Sequence, residues 1–337
     1  MTEKTDVVIV GAGPVGLFAV FELGLLNIKC HLIDNLDKVG GQCAELYPEK
    51  PIYDIPSRPM VTGQELTDEL LKQINPFNPK FHLNQQVDKI TKSDYGWVVE
   101  TSVGTTIEAK CIVIAAGAGS FVPRKPPIEN IDKFENTNVF YAIRNKSMFE
   151  NKKLLIAGGG DSALDWTNEL SKKSHVTLIH RRKDFRAAPD SVTKMQELEG
   201  EGKVQFLKGV IKDIKNSSDN KIIVSYQADD VMQEVEVDYL IPFFGLKMEL
   251  GPISGWGLNL HENLIKVDTE KFETSVSSIF AIGDINWYPG KLKLILSGFH
   301  EAALMAQECF KYCFPDKKNK FQYTTSSKEL QQKLGVK

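Results

Sequence analysis

Three glycines and an acid near the N-terminus have the spacing of a dinucleotide-binding turn. Gly11, Gly13 and Gly16 belong to the sequence GAGPVG, and Asp34 follows about 20 residues later. In such a turn the first glycine permits a tight bend, the second lets a pyrophosphate approach the backbone, and the third lets a helix pack on a strand. The acid accepts hydrogen bonds from ribose hydroxyls. The pattern predicts a bound dinucleotide.

A second glycine-rich turn lies in the middle of the chain, in the sequence GGGDSA at residues 158–163. Where the first unit has an acid about 20 residues after its turn, this one has arginine residues. The residues of this candidate site are Gly158, Gly160, Ala163, Arg181, Arg182 and Arg186. Guanidinium groups bind a 2′-phosphate through charge-assisted hydrogen bonds, whereas an acid would repel it. An isolated arginine pair is usually a solvated turn, but at the end of a second strand it predicts NADP(H). Two different dinucleotides in one chain are most naturally FAD in the first site and NADPH in the second.

A third candidate lies near the C-terminus, where an apolar run at residues 278–282 ends in Gly283 and Asp284. The carboxylate of Asp284 is in position for sugar hydroxyls, although a simple helix cap is the alternative. A helix predicted from Ser297 to about Phe310 follows. Its positive end would stabilise negative charge that develops on a flavin.

These residues need strands and helices to position them, and the flanking patterns supply both. Apolar, β-branched runs at residues 6–10, 30–33, 153–157 and 176–179 read as buried parallel strands. Helix patterns follow the two glycine turns, to about Leu25 and about Leu170. The sequence thus predicts an α/β protein with two Rossmann-like units.

Composition sets further limits. The 337 residues suffice for two domains, and a formal net charge of −3 gives no overall attraction to nucleic acid or acidic lipid. No apolar run reaches the length of a membrane span, because Glu22 interrupts the best candidate at residues 17–26. The N-terminus passes directly into a predicted strand, so we expect no export and a cytoplasmic location.

The spacing of the five cysteines does not indicate a set of disulfide bonds. They are Cys30, Cys43, Cys111, Cys309 and Cys313. They are too few and too scattered for a set of disulfides. Cys309 and Cys313 stand four residues apart on a predicted helix, but no nearby histidine or acidic cluster completes a metal site. We expect packing roles.

Four motifs resemble those of the glutathione-reductase-like flavoproteins, in particular the thioredoxin-reductase-like branch. They are GGQ at 40–42, IAAG at 114–117, HRR at 180–182 with Arg186, and SIFAIGD at 278–284. The resemblance implies two three-layer dinucleotide-binding domains, the NADP domain inserted into the FAD domain. The FAD domain would comprise residues 1–118 and 246–337, and the NADP domain residues 119–245.

The redox-active cysteine pairs of those enzymes are missing. Residues 140–145, where thioredoxin reductases carry CxxC, contain no cysteine, and residues 40–47, where glutathione-type enzymes carry CxxxxC, contain only Cys43. We interpret Cys43 as a small packing residue. Electrons must then leave directly from the flavin, which can release them singly to a one-electron carrier.

The chain most resembles the thioredoxin-reductase-like ferredoxin/flavodoxin–NADP⁺ reductases. The matches are GGQ at 40–42, LYPEK at 46–50, IYDIP at 52–56, AGAGSFVPR at 116–124, the glycine turn at 158–163 with DW at 165–166, and PGK at 289–291. The resemblance implies that Gln42, Tyr47, Phe121, Thr325 and Tyr323 lie at the flavin, and that Val87 brackets the adenine through its backbone. Tyr47 would stack on one face of the flavin, and Tyr323 of a second subunit in a homodimer would cover the other.

Alternatives stay open at this point. An NADPH-dependent flavin monooxygenase also uses two Rossmann units without cysteines, but the linker signature of that group is missing. A non-catalytic NADPH-sensing module is a further possibility. Neither the choice between ferredoxin and flavodoxin nor the direction of electron flow follows from the sequence. Candidate docking residues for an acidic carrier are Arg124, Lys125, Lys291 and Lys293.

Overall fold

The computed structural model describes residues 2–119, 122–247, 249–319 and 324–335. The chain divides into two compact units. The first unit is Met1–Phe121 with Met248–Lys337, and the second unit is Val122–Lys247. These limits lie close to the domain boundaries expected from the resemblance, and the nucleotide assigned to each unit stays a prediction.

The elements of the first chain segment are β1 (Glu3–Val10), α1 (Pro14–Leu25), β2 (Cys30–Ile33), α2 (Gly41–Glu45), β3 (Pro51–Ile52), β4 (Val61–Thr62), α3 (Gly63–Ile74), β5 (Lys80–His82), β6 (Val87–Lys92), β7 (Trp97–Thr101) and β8 (Thr106–Ile114). The second unit contains β9 (Val122–Pro123), β10 (Lys153–Ala157), α4 (Asp161–Leu170), β11 (His175–His180), α5 (Pro189–Gly200), β12 (Val204–Lys208), β13 (Val210–Asn216), β14 (Ile222–Ala228), β15 (Val231–Val237), β16 (Tyr239–Pro242) and β17 (Leu246–Lys247).

The chain then returns to the first unit with β18 (Leu260–His261), β19 (Leu264–Lys266), β20 (Ile279–Ala281), β21 (Asn286–Trp287), α6 (Ile295–Cys313) and α7 (Lys328–Lys333). Short 3₁₀ helices cover Asn75–Phe77, Ile131–Phe134, Lys146–Phe149, Gly251–Gly255, Gly283–Ile285 and Thr324–Ser326.

The main sheet of the first unit has the order β5-β2-β1-β8-β7-β6, with β20 also paired to β8. Strands β5, β2, β1, β8 and β20 run parallel, whereas β6, β7 and β8 form an antiparallel meander. Alternate side chains of β1 enter two different cores: Val7 and Ile9 pack with α1 and α6, while Val8 and Val10 pack on the opposite face. A covered sheet of this kind confirms the predicted Rossmann-like layers.

The second unit repeats the arrangement on a smaller scale. Its four-stranded sheet has the order β12-β11-β10-β16 with all pairs parallel. A separate antiparallel sheet, β13-β14-β15, supplies further apolar residues to the core of this unit. Strands β9 and β17 pair where the chain enters and leaves the unit.

Most predicted elements are confirmed with small shifts at their ends. Helices α1 and α4 end where the patterns predicted, and β2 and β10 have the predicted bounds. Strand β20 is one residue shorter than expected at each end, and Ser278, just before it, adopts a positive φ of 62°. Within the described residues, no helix combines the length and apolarity that crossing a membrane requires.

Candidate functional site

The first glycine turn connects β1 to α1, and each glycine has a distinct environment. Gly11 has a φ of +110°, and a Cβ there would lie 2.4 Å from the carbonyl oxygen of Ala115. A Cβ at Gly16 would lie 2.1 Å from the carbonyl oxygen of Gly11. By contrast, a Cβ at Gly13 would meet only Gly41, at 3.8 Å. Gly11 and Gly16 are therefore required by the fold itself, whereas the backbone of Gly13 is left open to a ligand.

Asp34 lies at the end of β2 and holds the turn in place. Its carboxylate accepts a hydrogen bond of 2.6 Å from the backbone N–H of Ala12 and one of 3.0 Å from that of Leu36. Burial raises the pKa of Asp34, and these backbone hydrogen bonds oppose the rise. A carboxylate has about four acceptor positions, so two contacts leave capacity for ribose hydroxyls.

A cavity of about 360 Å³ opens above the carboxyl ends of these strands. Seven of the residues predicted to bind FAD line it, namely Gly11, Gly13, Asp34, Gln42, Tyr47, Val87 and Asp284. This is the position at which open α/β sheets bind ligands, beyond the carboxyl ends of parallel strands. The cavity also touches Ile295, the first residue of α6.

Four other residues predicted to bind FAD do not line this cavity or lie outside the described residues. Gly16 lies behind the turn, where it packs against Gly11 and Ala115 and serves the helix–strand contact. Thr325 is exposed on the short 3₁₀ helix near the C-terminus and is not among the cavity residues. The structure of the single chain therefore does not bring Thr325 to this cavity. Phe121 and Tyr323 lie outside the described residues.

Tyr47 and Cys43 form one wall of the cavity. The thiol of Cys43 lies 3.8 Å from the Tyr47 hydroxyl, within range of a weak hydrogen bond. Burial raises the pKa of Cys43 to about 11, so the thiol stays protonated and unreactive near neutral pH. Burial likewise raises the pKa of Tyr47 well above its usual range. The aromatic ring thus offers an apolar surface with an uncharged hydroxyl, suited to a planar ring system.

Asp284 is positioned by a buried carboxylate that the sequence reasoning missed. Glu301 on α6 is fully buried, and its oxygens accept hydrogen bonds from the backbone N–H of Gly283 at 2.7 Å and the side chain of Asn286 at 2.8 Å. It also accepts from the Tyr288 hydroxyl at 2.9 Å and from the ammonium group of Lys291. Glu301 therefore ties α6 to the loop that carries Asp284.

A signal for Glu301 existed in the sequence. The buried stripe of α6 reads Gly298, Glu301, Ala302, Met305, Ala306 and Cys309. A charged residue on an otherwise apolar helix face is rarely buried unless it is paired. A glutamate within this apolar stripe is enough to predict a buried ion pair, but it does not identify the residue that pairs with Glu301.

Lys291 corrects the sequence-based interpretation of a docking surface. Its side chain is only 4% exposed, and its ammonium group pairs with Glu301 instead of facing a carrier protein. Lys125 is exposed but already pairs with Asp132 at 2.5 Å and Glu135 at 2.7 Å. Neither lysine is a free positive charge on the surface.

Several cavity residues had no distinctive sequence signal. They are the polar residues Asn35, Gln85 and Gln86 and the returning segment at 249–253. Gln85 is brought in because its backbone N–H donates to the carbonyl oxygen of Asp34 at 3.0 Å. Such contacts depend on strand pairing, which the local sequence does not specify.

The second glycine turn joins β10 to α4. A Cβ at Gly159 would lie 2.4 Å from the imidazole of His180, and one at Gly158 would lie 2.7 Å from the carbonyl oxygen of Phe243. Gly160 is open, with the carbonyl oxygen of Arg186 at 3.7 Å as the nearest atom. The N–H of Arg186 donates to the carbonyl oxygen of Gly159 at 2.7 Å, so the basic loop is tied to the turn.

The predicted 2′-phosphate residues Arg181, Arg182 and Arg186 are brought to the same loop after β11. All three are exposed, and no acidic partner is found for them among the described residues. Burial, followed by the charges of Arg181 and Arg182, lowers the pKa of the adjacent His180. The loop also carries Asp184, but its three guanidinium groups outnumber that single carboxylate, and a net positive charge is what an anion site requires.

The remaining cysteines are buried and free. Cys111, Cys309 and Cys313 belong to the core between the sheet and α6, with exposures of 2% or less. Burial is the main reason that the pKa of Cys309 is raised. The packing interpretation of Cys309 and Cys313 therefore agrees with their surroundings.

The residues present fit FAD in the first unit. Neither α1 nor α6 has a side-chain cap at its N-terminus, and residues of both helix starts line the cavity. Uncapped N–H groups bind pyrophosphate and other electron-rich groups. Two carboxylates, on Asp34 and Asp284, face the same cavity for sugar hydroxyls.

Comparisons with known proteins agree with this geometry. The profile of the family described as pyridine nucleotide-disulphide oxidoreductase matches residues 5–306. A protein from Parvibaculum lavamentivorans named ferredoxin–NADP reductase is 60% identical over 99% of this chain and 98% of its own length. One from Beijerinckia indica with the same name is 59% identical over 98% of both chains.

Solved structures similar to this chain include thioredoxin reductases. The Lactococcus lactis enzyme matches with a TM-score of 0.79 at 25% identity, covering 92% of this chain and 99% of that one. The T. acidophilum enzyme matches with a TM-score of 0.80 at 22% identity, covering 92% and 98%, and that likeness concerns the fold alone.

Proposed function

Since the chain belongs to the pyridine nucleotide-disulphide oxidoreductase family, we propose that it transfers electrons between NADPH and a ferredoxin or flavodoxin through FAD. Family membership makes it a flavoprotein that uses FAD and NADP(H). The observation that supports the carrier is 56–60% identity to relatives named ferredoxin–NADP reductase over nearly the whole chain.

FAD, when bound, supplies the chemistry that links a two-electron donor to a one-electron carrier. In the proposal, the first unit binds it. The open backbone at Gly13 and the uncapped start of α1 face the pyrophosphate, and Asp34 holds the ribose. Asp284 and the start of α6 orient the flavin end, and the positive helix terminus stabilises negative charge there. Gln42 and Tyr47 form the wall beside the ring system.

The second unit binds NADPH in the same proposal. The turn at residues 158–163 receives the pyrophosphate at the start of α4, which also lacks a side-chain cap. Arg181, Arg182 and Arg186 bind the 2′-phosphate. Their exposure, and the fact that no ion pair occupies them among the described residues, support this role.

The absence of a cysteine pair near the flavin distinguishes the proposal from disulfide reduction. Cys43 is the one cysteine among the cavity residues, and its thiol is protonated near neutral pH. Without a dithiol to receive electrons, the carrier must take them from the flavin.

We also propose a cytoplasmic homodimer in which Tyr323 of a second copy covers the flavin. The family resemblance motivates the dimer, and five free cysteines suit a reducing compartment. Sedimentation of the flavin-loaded protein at micromolar concentration tests the dimer, and a monomer would contradict it.

The experiment that tests the function combines flavin identity with carrier reduction. The purified protein is expected to release FAD and not FMN on denaturation, and to reduce a [2Fe–2S] ferredoxin or a flavodoxin with NADPH. A flavin-loaded protein that oxidises NADPH yet reduces neither carrier would contradict the proposed partner. Bound FMN would contradict the dinucleotide site.

A further inference from the structure

Two histidines and a glutamate from three neighbouring strands meet at the edge of the main sheet in the first unit. Glu3 lies on β1, His31 on β2 and His82 on the edge strand β5. The Nδ1 atom of His31 lies 3.1 Å from the Nε2 atom of His82. The Oε2 atom of Glu3 lies 3.6 Å from the first of these nitrogens and 4.0 Å from the second.

These separations suit a metal ion bound by all three atoms. In a tetrahedral zinc site with bonds of about 2.0–2.2 Å, ligand atoms lie roughly 3.3 Å apart. To match that geometry, the distances of 3.1 and 3.6 Å need changes of about 0.2–0.3 Å, and the distance of 4.0 Å between Glu3 and His82 must shorten by about 0.7 Å. Two imidazole nitrogens with one carboxylate oxygen form a donor set that Zn²⁺ uses in proteins, with a fourth position left for water.

The two histidines are in a state that suits metal binding. Their side chains are 15% and 7% exposed. Burial is the main cause that lowers the pKa of both rings, in the direction of the neutral form. Among the residues that the structure describes, this is the one group of three such side chains whose ligand atoms come so close together.

Lys80 is the group that competes with a metal ion. Its ammonium donates to both oxygens of Glu3, at 2.6 and 2.7 Å. The Lys80 side chain is 53% exposed, and ion pairs at the surface contribute little to stability. A divalent ion can take the Oε2 atom while the lysine keeps the other oxygen or turns to solvent.

We propose that Glu3, His31 and His82 form a binding site for a divalent transition-metal ion, for which Zn²⁺ is the probe. The ion would clamp the edge strand β5 to β2 and β1. Both histidine strands lead directly to the cavity, because His31 precedes Asp34 and His82 precedes Gln85 by three residues each. The carbonyl oxygen of His82 already accepts the N–H of Asp34 at 3.0 Å. Metal binding is therefore expected to stabilise the unit and slow FAD release.

The test uses the flavin-loaded full chain after treatment with a chelator and dialysis. Equilibrium dialysis with metal analysis is expected to show one Zn²⁺ per chain, and Zn²⁺ is expected to raise the melting temperature. His31→Gln and His82→Gln are each expected to weaken binding at least about 100-fold. His300→Gln, an exposed histidine on α6 of the same unit, is the matched control and should bind like the parent.

Lys80→Met separates a metal site from a simple hydrogen-bonded pair. Removal of the competing ammonium is expected to increase Zn²⁺ affinity by up to about fivefold, the equivalent of a surface ion pair. With Cu²⁺ as a second probe, electron paramagnetic resonance should show splitting from two imidazole nitrogens. The proposal is overturned if the parent binds no stoichiometric Zn²⁺, or if the His31 and His82 variants, folded and flavin-loaded, bind it as the control does.

Discussion

The choice of nicotinamide cofactor is proposed to depend on three arginine side chains. Arg181, Arg182 and Arg186 follow the second strand of their unit, where the first unit has Asp34, and this exchange of charge would favour a 2′-phosphate over a free ribose. The backbone N–H of Arg186 donates to the carbonyl oxygen of Gly159 and so ties the basic loop to the glycine turn. This bond uses only backbone atoms, so the arginine side chains stay available to an anion.

We predict that Arg181→Ala with Arg182→Ala reduces the preference for NADPH over NADH. A hydrogen bond to a charged group contributes about 1.5–3 kcal/mol, so two such losses lower the ratio of kcat/KM values by roughly two to four orders of magnitude. Steady-state kinetics with both nucleotides measure the ratio. Lys203→Ala, at an exposed lysine of the same unit, should leave it unchanged. An unchanged ratio in the double variant would place the 2′-phosphate elsewhere.

Glu301 bonds the residues on either side of the Asp284 loop, so we expect it to fix that end of the cavity. We predict that Glu301→Gln leaves the Lys291 charge buried without its partner, which costs about 3–5 kcal/mol of folding free energy. The Asp284 loop should then lose its fixed position, and FAD affinity should fall with stability. Thermal unfolding and FAD titration measure the two effects.

Glu308→Gln is the control for this variant, because Glu308 lies on the same helix but pairs with the exposed Lys311. Equal stability and equal FAD affinity in the two variants would show that Glu301 does not position the site.

At the scale of elements, each glycine turn combines a requirement of the fold with a requirement of the ligand. A side chain at Gly16 would collide with the carbonyl group of Gly11 in the turn itself, whereas Gly13 faces open space. Glycine is thus required at one position by the packing of the turn and at the other by the approach of the ligand, and alanine substitutions distinguish the two requirements.

We predict that Gly13→Ala folds normally but binds FAD at least about tenfold more weakly, because the added methyl group occupies the approach of the pyrophosphate. Gly16→Ala should instead destabilise the whole unit, since its Cβ would lie 2.1 Å from a carbonyl oxygen. Circular dichroism and FAD titration distinguish the two. Gly255→Ala, with nothing within 4 Å, is the control. Normal FAD affinity in Gly13→Ala would remove the pyrophosphate from this turn.

The elements were largely predictable from sequence because their signals are local. Strand β1, the turn and α1 follow from a run of β-branched residues, three glycines and an apolar helix pattern. Residues such as Gln85 and Glu301 were not predictable in the same way. They reach the site through the pairing of β2 with β5 and the packing of α6 on the sheet, which join parts of the chain far apart in sequence.

The prediction from sequence was wrong for a lysine that could lie either on the surface or in a buried ion pair. Lys291 has the appearance of a surface lysine in the sequence, and its burial depends on Glu301 being in reach. Thr325 matches a family position but is exposed and does not line the cavity of the single chain, so its flavin contact stays a prediction. Phe121 and Tyr323 stay predictions from the resemblance.

For the whole molecule, the central claim is that electrons pass from NADPH to a one-electron carrier without any thiol. The fold is that of thioredoxin reductases, so fold alone would suggest disulfide chemistry. The cysteines decide against it, because all five are buried and Cys43 alone lines the cavity. The reaction is therefore inferred from the residues that line the cavity and not from the fold.

The most direct test is NADPH-dependent reduction of ferredoxin by a variant in which all five cysteines are replaced by alanine. Some loss of stability is expected from the small cavities left in the core, so the rate is compared per bound FAD and below the melting temperature. We predict a ferredoxin-reduction rate within about threefold of the parent, and no reduction of a thioredoxin disulfide by either protein. Loss of ferredoxin reduction in a folded, FAD-loaded variant, or thioredoxin reduction by the parent that the variant lacks, would contradict the claim.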